Sequence, residues 1–404
     1  MNKVEMYIEA NWDSCIKENM YDDGTLIGVP YPYNVPAVGH FDEMYYWDTY
    51  FTNKGLELCG RWAQAKNNTD NILYLVNKYG FMPNGNRVNY LKNSQPPFLS
   101  IMVRDVFEHY KDTVWLSAAY SVLKKEYKFW IEERMSPMGL NCYGGVLNSE
   151  KVIKVMSNYW KERTGIITEC DEYDIARHSL LSCESGWDFN PRWHTEGYNY
   201  APVDLNSLMY MFEKNMEYFS LTLKNNEEKC WHNRAERRRE LMMRCMDNGA
   251  GILLDYNFKK NKINNLLSAA SFYPLFVGLC DDKGAKAMVN CLDRLEAEYG
   301  ILTCEKNDVY GLYQWDYPNG WACLQYIAII GLDNYGYKQE ALRIAKKYVH
   351  LVEKVFCKTG KLWEKYNVVE GNINVTNEYE MPAMMGWSAG VYIAANKYIG
   401  EWEI

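Results

Sequence analysis

The sequence predicts an all-α protein in which helix pairs form a closed ring and their loops gather at one mouth. Three observations support this prediction: apolar residues recur at helical spacing, few stretches alternate with a period of two, and long aromatic loops separate the helical segments. Roughly ten to twelve helices over a chain of this length suit such a ring. Its inner helices should be apolar on all sides, and its loops should share one face.

Helical periodicity predicts the individual elements in chain order. Residues 101–109 and 115–133 read as two helices joined by a turn at Lys111–Asp112, and a charged helix at 227–246 follows the polar break at 225–228. No linker rich in proline, serine or glycine divides the chain, so residues 1–404 should form a single domain. The remaining helical segments are apolar stripes at 205–219 and 342–356 and nearly continuous apolar runs at 322–330 and 387–398.

The composition excludes several classes of partner. The formal net charge is −8, which argues against binding to a polyanion such as nucleic acid. One basic stretch, Arg234–Arg239, is expected to lie on a solvated helix face. No run of about 18 apolar residues exists, so no membrane-spanning helix is expected. The partner that remains is a small molecule, and the pattern predicts no particular oligomeric state.

Cysteine and histidine usage bears on location and cofactors. The N-terminal residues contain no apolar signal-peptide core, and the 12 cysteines include no C-x-x-C pair. These features predict reduced thiols and a cytoplasmic location. The six histidines lack the spacing of a zinc site, and no glycine-rich phosphate loop is present. We therefore expect neither a metal nor an organic cofactor.

The aromatic loops have the composition of a carbohydrate site. Sugars stack their C–H faces on flat aromatic rings, and their hydroxyl groups bind carboxylates, amides and guanidinium groups. That mixture of side chains recurs in the loops of this chain, which lie at 29–51, 79–98, 184–193, 310–321 and 362–387. An isolated Trp-Asp pair such as Trp12–Asp13 is more often structural. The prediction depends on the concentration of such loops.

Two carboxyl groups in these loops suit the chemistry of glycoside hydrolysis. One carboxyl must be protonated at the working pH, which an aromatic wall favours, and Asp188 lies between Trp187 and Phe189. The other must stay charged and activate a water molecule, and Glu364 is followed by the cation Lys365. If hydrolysis inverts the anomeric carbon, the two carboxyl groups should stand roughly 6.5–9.5 Å apart.

Six stretches resemble, in the same order, the sequence blocks of the trehalase family. They read PAVGHFDEMYYWDTYF at 36–51, PNGNRVNYLKNSQPPF at 83–98, ESGWDF at 184–189, QWDYPNGWA at 314–322, EKYN at 364–367 and EY…GW at 378–387. The resemblance implies glycoside hydrolase family 37, an (α/α)6 toroid, and hydrolysis with inversion. Trehalose is the best single substrate it implies.

The resemblance also implies roles for individual residues. Asp188 matches the general acid of the family's S-G-W-D block, and Glu364 matches the general base of its E-K-Y-D block. Positions that bind the sugar in the family are occupied here by Trp47, Asp48, Asn84, Gln95 and Gly186. Positions that look like pocket lining are occupied by Trp315, Trp321, Glu378 and Trp387.

Three departures from the family pattern concern its arginines. His40 and Asn93 stand where the family has substrate-binding arginines, and the family's R-P-E-S-Y block has no counterpart, the nearest text being residues 169–173. Neither histidine nor asparagine offers the planar fork of a guanidinium group. Residues 190–193, N-P-R-W, resemble the S-P-R-W sequence that follows the acid in glycoside hydrolase family 63 more closely than the S-S-R-W sequence of trehalases. The leaving group is therefore expected to be held differently, and another α-glucoside or α-mannoside, such as glucosylglycerate or mannosylglycerate, is the alternative.

Two other classes of function stay open on the sequence. A sugar-binding protein without catalysis would have the same aromatic loops, but it would need neither Asp188 nor Glu364. A sugar 2-epimerase shares the helical toroid and uses paired histidines as acid and base. Here His40 and His194 are the histidines in the candidate loops, and the acidic residues fit better.

Overall fold

The computed structural model describes residues 1–37, 39–376 and 380–402. Across these residues the chain is mainly helical, and the strands are two or three residues long. The helices are α1 Lys3–Asn11, α2 Tyr46–Leu58, α3 Trp62–Tyr79, α4 Leu99–Tyr110, α5 Thr113–Glu132, α6 Glu150–Thr164, α7 Glu172–Ser185, α8 Val203–Leu223, α9 Glu228–Met246, α10 Tyr273–Phe276, α11 Asp282–Asn290, α12 Leu292–Leu295, α13 Ala322–Asn334, α14 Lys338–Thr359 and α15 Gly386–Gly400.

The predicted closed ring of helices is confirmed. Within the described ranges, the inner ring runs in the order α2, α4, α8, α10, α13 and α15. Each helix packs against the next, and α15 packs against α2, which closes the ring. The helices α3, α5, α9 and α14 pack outside this inner ring. The fold is an (α/α)6 toroid with long loops. The helical segments outnumber the expected ten to twelve because α10 and α12 are single turns and the α6–α7 hairpin lies outside the ring.

Local signals explain where the helices begin and end. Helix α4 ends at Lys111, which adopts a left-handed φ of 56°, and the Asp112 side chain accepts hydrogen bonds from Val114 N and Trp115 N to cap α5. The predicted turn at Lys111–Asp112 is thus the junction of two antiparallel helices. Helix α13 is buried along most of its length, as its continuous apolar sequence indicates.

The closest helix contact in the ring is between α2 and α15. A Cβ atom on Gly390 would stand 2.1 Å from the backbone oxygen of Phe51, and one on Gly55 would stand 2.5 Å from the Cα atom of Gly390. Only glycine at both positions allows the two backbones to touch, because any side chain would force them apart. This contact packs the backbone of α2, from Phe51 to Gly55, directly against the N-terminal half of α15.

The strands are short and join loops rather than form a core. They are β1 Ile16–Lys17, β2 Tyr33–Asn34, β3 Tyr200–Ala201, β4 Tyr256–Asn257, β5 Lys262–Ile263, β6 Glu296–Ala297, β7 Gly300–Ile301, β8 Asn319–Trp321 and β9 Lys365–Asn367. The antiparallel pair β8–β9 matters most for function, because it places Trp321 directly opposite Lys365.

The basic stretch 234–239 differs in part from its expected place on a solvated face. It lies on α9, but Arg238 is buried, and its Nε and Nη2 atoms lie 3.0 and 2.9 Å from the Glu213 carboxylate on α8. A charge is stable in the interior only when it is paired, and Glu213 supplies that pair. All 12 cysteines are unpaired thiols. Within the described ranges, no helix combines the length and apolarity needed to cross a membrane.

Candidate active site

A cavity of about 680 Å³ opens among the aromatic loops, at the N-terminal ends of α2 and α15. Every predicted site residue that the structure describes lines it, whereas Glu378 lies outside the described residues. The predicted residues that the structure brings together are Trp47, Asp48, Asn84, Gln95, Gly186, Asp188, Trp315, Trp321, Glu364 and Trp387.

Four buried tryptophans form the wall of the cavity's inner half, which we define by Trp47, Trp315, Trp321 and Trp387 together with Asp48 and Glu364. The Trp315 and Trp321 rings stack with their centroids 3.7 Å apart, and Trp47 lies 5.5 Å from Trp315. Trp387 meets Trp47 edge to face at 5.7 Å. These rings have two torsions each and are packed against one another, so they form a rigid apolar wall against which a sugar ring can stack.

Glu364 is fixed by the β8–β9 pair. It directly precedes β9, and its backbone oxygen accepts a hydrogen bond of 3.1 Å from Trp387 Nε1. The buried Lys365 Nζ lies 2.8 Å from Glu364 Oε2, 3.2 Å from Gln314 Oε1 and 4.6 Å from the centre of a Trp321 ring. Lys365 therefore does not face solvent. Its ammonium group forms an ion pair with the carboxylate at the base of the cavity.

Asp188 lies in the loop that follows α7, and the glycine before it shapes that loop. Gly186 ends α7 with a φ of 73°, and a Cβ atom there would stand 2.7 Å from the Trp47 ring. Any other residue would therefore strain the backbone and displace a wall of the cavity. Burial, and then the nearby charge of Glu364, raises the pKa of Asp188 to about 7. A carboxyl with this pKa carries a proton in much of the population at neutral pH.

Asp48 is a third acid in the cavity, in the first turn of α2. Burial, followed by the charges of Glu364 and Asp188, raises its pKa to about 8. The three carboxyl groups are close enough for their charges to interact, so not all of them can be ionised together without mutual repulsion.

The two carboxyl groups of the ESGWD stretch have different surroundings. Glu184 does not line the cavity. It is fully buried, and its oxygens accept hydrogen bonds from Arg134 Nε at 2.7 Å and from the backbone N–H groups of Ser94 and Gly144 at 2.8 and 2.6 Å. Glu184 thus joins three segments of chain, which is a structural role, while Asp188 opens onto the cavity.

Arg192 lies in the N-P-R-W sequence at residues 190–193, and its side chain also has a structural role. Its guanidinium group is fully buried between the rings of Trp187 and Trp193, 4.4 and 4.7 Å from their centres. It forms ion pairs of 2.9 and 2.8 Å with Asp204 and Asp255. These contacts anchor the loop that carries Asp188.

The predicted amide side chains hold the loops together as well as lining the cavity. Asn84 Nδ2 donates to the backbone oxygen of Cys183 at 3.2 Å, and Gln95 Oε1 accepts from Trp47 N at 3.2 Å. Asn93 also lines the cavity, whereas His40 is exposed and does not. No histidine of the described chain lines it, which argues against the paired-histidine chemistry of an epimerase.

The cavity also has an outer half that no sequence motif marks, and we define it by Asn89, Tyr90, Lys92, Val155, Met156, Tyr159 and Arg163. The last four lie on one face of α6, a helix that begins at the Ser149 cap and ends at Gly165. They escaped notice because they belong to a helix face rather than a motif-bearing loop. A signal was present: apolar residues on one stripe of a charged helix mark a face that contacts something.

Comparison with known proteins gives consistent matches. A model of the trehalase family matches residues 1–400. The chain is 30% identical to the periplasmic trehalase of Xanthomonas axonopodis pv. citri, over 98% of this chain and 73% of the relative. It is 33% identical to the periplasmic trehalase of Salmonella dublin, over 95% and 71%.

Solved structures agree at the level of the fold. Neutral trehalase Nth1 from Saccharomyces cerevisiae superposes with a TM-score of 0.79 at 29% identity, over 98% of this chain and 80% of that one. The family 63 mannosylglycerate hydrolase of Thermus thermophilus gives a TM-score of 0.65 at 15% identity, over 96% and 99%. At that identity the second match shows a shared fold alone.

These relatives correct the predicted location. The expectation of a cytoplasmic protein is wrong, since the bacterial relatives from Xanthomonas and Salmonella are named periplasmic trehalases. The expectation rested on the composition of the N-terminal residues and on unpaired cysteines. Neither feature determines in which compartment a folded chain works.

Proposed function

This chain belongs to the trehalase family, and from that premise we propose that it hydrolyses α,α-trehalose with inversion of the anomeric carbon. It is a glycosidase. One observation carries the proposed mechanism: Asp188 and Glu364 line the same cavity in contrasting surroundings. Burial favours the protonated form of Asp188, while Glu364 is paired with a buried ammonium group.

In the proposed reaction, Asp188 donates its proton to the glycosidic oxygen as the bond from C1 to that oxygen breaks. A water molecule attacks C1 from the opposite face, and Glu364 accepts the proton that this water loses. The two products are one glucose with the inverted β configuration and one that leaves with its α configuration unchanged. Every atom and proton is supplied by trehalose, water and the two carboxyl groups.

The inner half of the cavity is the proposed site for the glucosyl ring that undergoes attack. Its tryptophan wall offers a stacking surface, and Asp48 and Gln95 offer acceptors for sugar hydroxyl groups. Because Asp48 has a pKa of about 8, it can also donate a hydrogen bond at neutral pH. Asp188 rather than Asp48 is the proposed acid, because Asp188 precedes Phe189, whose ring packs 5.1 Å from Tyr159 of the outer half, and we place the leaving group there.

Proton NMR of trehalose hydrolysis tests this proposal directly. We expect the first spectra, taken before mutarotation, to show β-glucose and α-glucose in equal amounts. Release of α-glucose alone would indicate retention and would contradict the assignment of Glu364 as a base. Binding of trehalose without any turnover would favour the alternative of a non-catalytic sugar-binding protein.

The pH profile follows from the proton that Asp188 must carry. We expect kcat/KM for trehalose to fall about tenfold per pH unit above about pH 7, since the raised pKa means that the proton is lost there. The titration of Asp48 at about 8 adds to the same decline. Asp316 is a matched control, because it is a neighbouring carboxyl with a pKa of about 6 that does not line the cavity. Asp316→Asn should keep the decline, and a wild-type profile that is flat to pH 9 would contradict the role of Asp188.

A further inference from the structure

We propose that the outer half of the cavity binds an acidic group, a carboxylate or a phosphate, on the leaving group of the substrate. Lys92 and Arg163 are the residues that would hold it. This inference rests on the proposed role of Asp188, because the general acid protonates the oxygen that departs with the leaving group. The leaving group must then lie on the Asp188 side of the cavity.

Helix α6 stands on that side. Its Tyr159 ring lies 5.1 Å from Phe189, the residue that follows Asp188, and Trp160 lies 5.6 Å from the same ring. Both Tyr159 and Arg163 line the cavity, one helical turn apart. Burial, with smaller contributions from the charges of Glu43 and Asp188, raises the pKa of Tyr90 to about 12. The contribution from Asp188 means that Tyr90 is also near the acid. Lys92 follows two residues later. Both cations therefore lie on the leaving-group side.

Neither cation is neutralised by an acid in the described part of the chain. The contact recorded for the Arg163 guanidinium is the Tyr159 ring, 5.5 Å away, and Lys92 uses its backbone oxygen to accept from Val146 N. Acids in the neighbouring segments are already engaged, Glu43 by Arg87 and Glu184 by Arg134. Both cations are therefore available to an anion that enters from solvent.

The acids of the cavity do not cancel this charge. Burial raises the pKa of both Asp48 and Asp188, so that a large share of each is neutral at pH 7. Glu364 lies in the inner half and forms an ion pair with Lys365. The outer half thus contributes two cations to the cavity of a protein whose net charge is −8. A neutral sugar can accept hydrogen bonds from these cations, whereas a carboxylate or phosphate also gains charge–charge attraction from both.

Two matched pairs of ligands test the inference. Binding is measured by calorimetry on the Asp188→Asn protein, in which turnover is slow, with glucosylglycerol against glucosylglycerate and with trehalose against trehalose 6-phosphate. Within each pair the ligands differ by the acidic group. We expect the acidic member of at least one pair to bind about tenfold tighter or better at low salt, and the advantage to shrink as salt is added. The pair that responds identifies the group as carboxylate or phosphate.

Variants separate these two cations from the general charge of the helix. Lys92→Gln combined with Arg163→Gln should bring the ratio of affinities within the responding pair close to one and leave the neutral ligand nearly unaffected. Lys154→Gln is the control, since Lys154 is exposed on the same helix and does not line the cavity. The Lys154→Gln variant should preserve the ratio of affinities within the responding pair. Equal affinities for both members of both pairs, or equal loss of neutral and acidic ligands in the double variant, would overturn the inference.

Failure of this inference is distinguishable from failure of the proposed function. Wild-type protein that hydrolyses trehalose but binds neutral and acidic ligands equally keeps its proposed function and loses the acidic subsite. Wild-type protein that does not hydrolyse trehalose loses the proposed function, while the calorimetric ratio still decides whether the outer half selects an anion.

Discussion

Replacing Asp188 by asparagine is expected to lower kcat for trehalose by about 10²- to 10⁴-fold, the range typical of a lost general acid. Glucose is a poor leaving group without a proton, and an amide cannot supply one. The fold should survive, because asparagine has nearly the same volume and Asp188 takes part in none of the ion pairs that anchor its loop. Thermal unfolding of the variant should therefore occur no earlier than in the wild type, and steady-state kinetics measures the loss.

A substrate that needs no proton separates lost acid catalysis from a damaged site. Fluoride leaves without protonation, so the Asp188→Asn protein should hydrolyse α-glucosyl fluoride within about tenfold of the wild-type rate. Equal losses on trehalose and on the fluoride would mean that the variant has a distorted cavity. Trehalose turnover near the wild-type level would remove Asp188 from the mechanism.

Replacing Glu364 by alanine should have a similarly large effect, a loss of about 10²- to 10⁴-fold on trehalose and on α-glucosyl fluoride alike. Water attack needs the base whatever the leaving group is, so the fluoride should not rescue this variant. That contrast with Asp188→Asn assigns the two roles. The variant should also unfold at a lower temperature, because the buried Lys365 ammonium loses the carboxylate 2.8 Å from it.

Azide provides the positive control for Glu364→Ala. It is a nucleophile that needs no base and that fits the space left by the missing side chain. With α-glucosyl fluoride we expect azide to restore turnover and to give glucosyl azide in the β configuration, which NMR identifies. An α product would require two displacements through a nucleophile other than Glu364, and it would contradict the assignment of Glu364 as the base of an inverting reaction. Glu364→Gln, which fills the space, should respond to azide much less.

The residues that the sequence could identify are those that lie in contiguous motifs. Asp188 and Glu364 each stand beside the residues that set their surroundings, since Trp187 and Phe189 flank the one and Lys365 follows the other. The closed ring could equally be predicted from the sequence, because helices such as α13 are apolar on every side. In both cases the determining contacts are local in sequence, and local patterns carry that information.

The residues that escaped prediction depend on contacts between distant segments. Nothing near Glu184 shows that its carboxylate is bound by Arg134, 50 positions earlier, so the two acids of the ESGWD stretch looked alike in sequence. Likewise α6 carries no motif, and its place beside Phe189 follows from packing alone. Lys92 lies beside Asn93, the position where the family has arginine, and no family motif position falls on Lys92 itself.

The glycine contact between α2 and α15 has a consequence for how the protein folds during its synthesis. These helices are neighbours in space, yet all of the chain from α3 to α14 lies between them, so a ribosome must synthesise that whole stretch before the two can meet. Until then the nascent chain presents an apolar groove along α2, which is the kind of surface that holdase chaperones recognise. Premature termination anywhere before α15 should accordingly yield aggregated, inactive material rather than a smaller working enzyme.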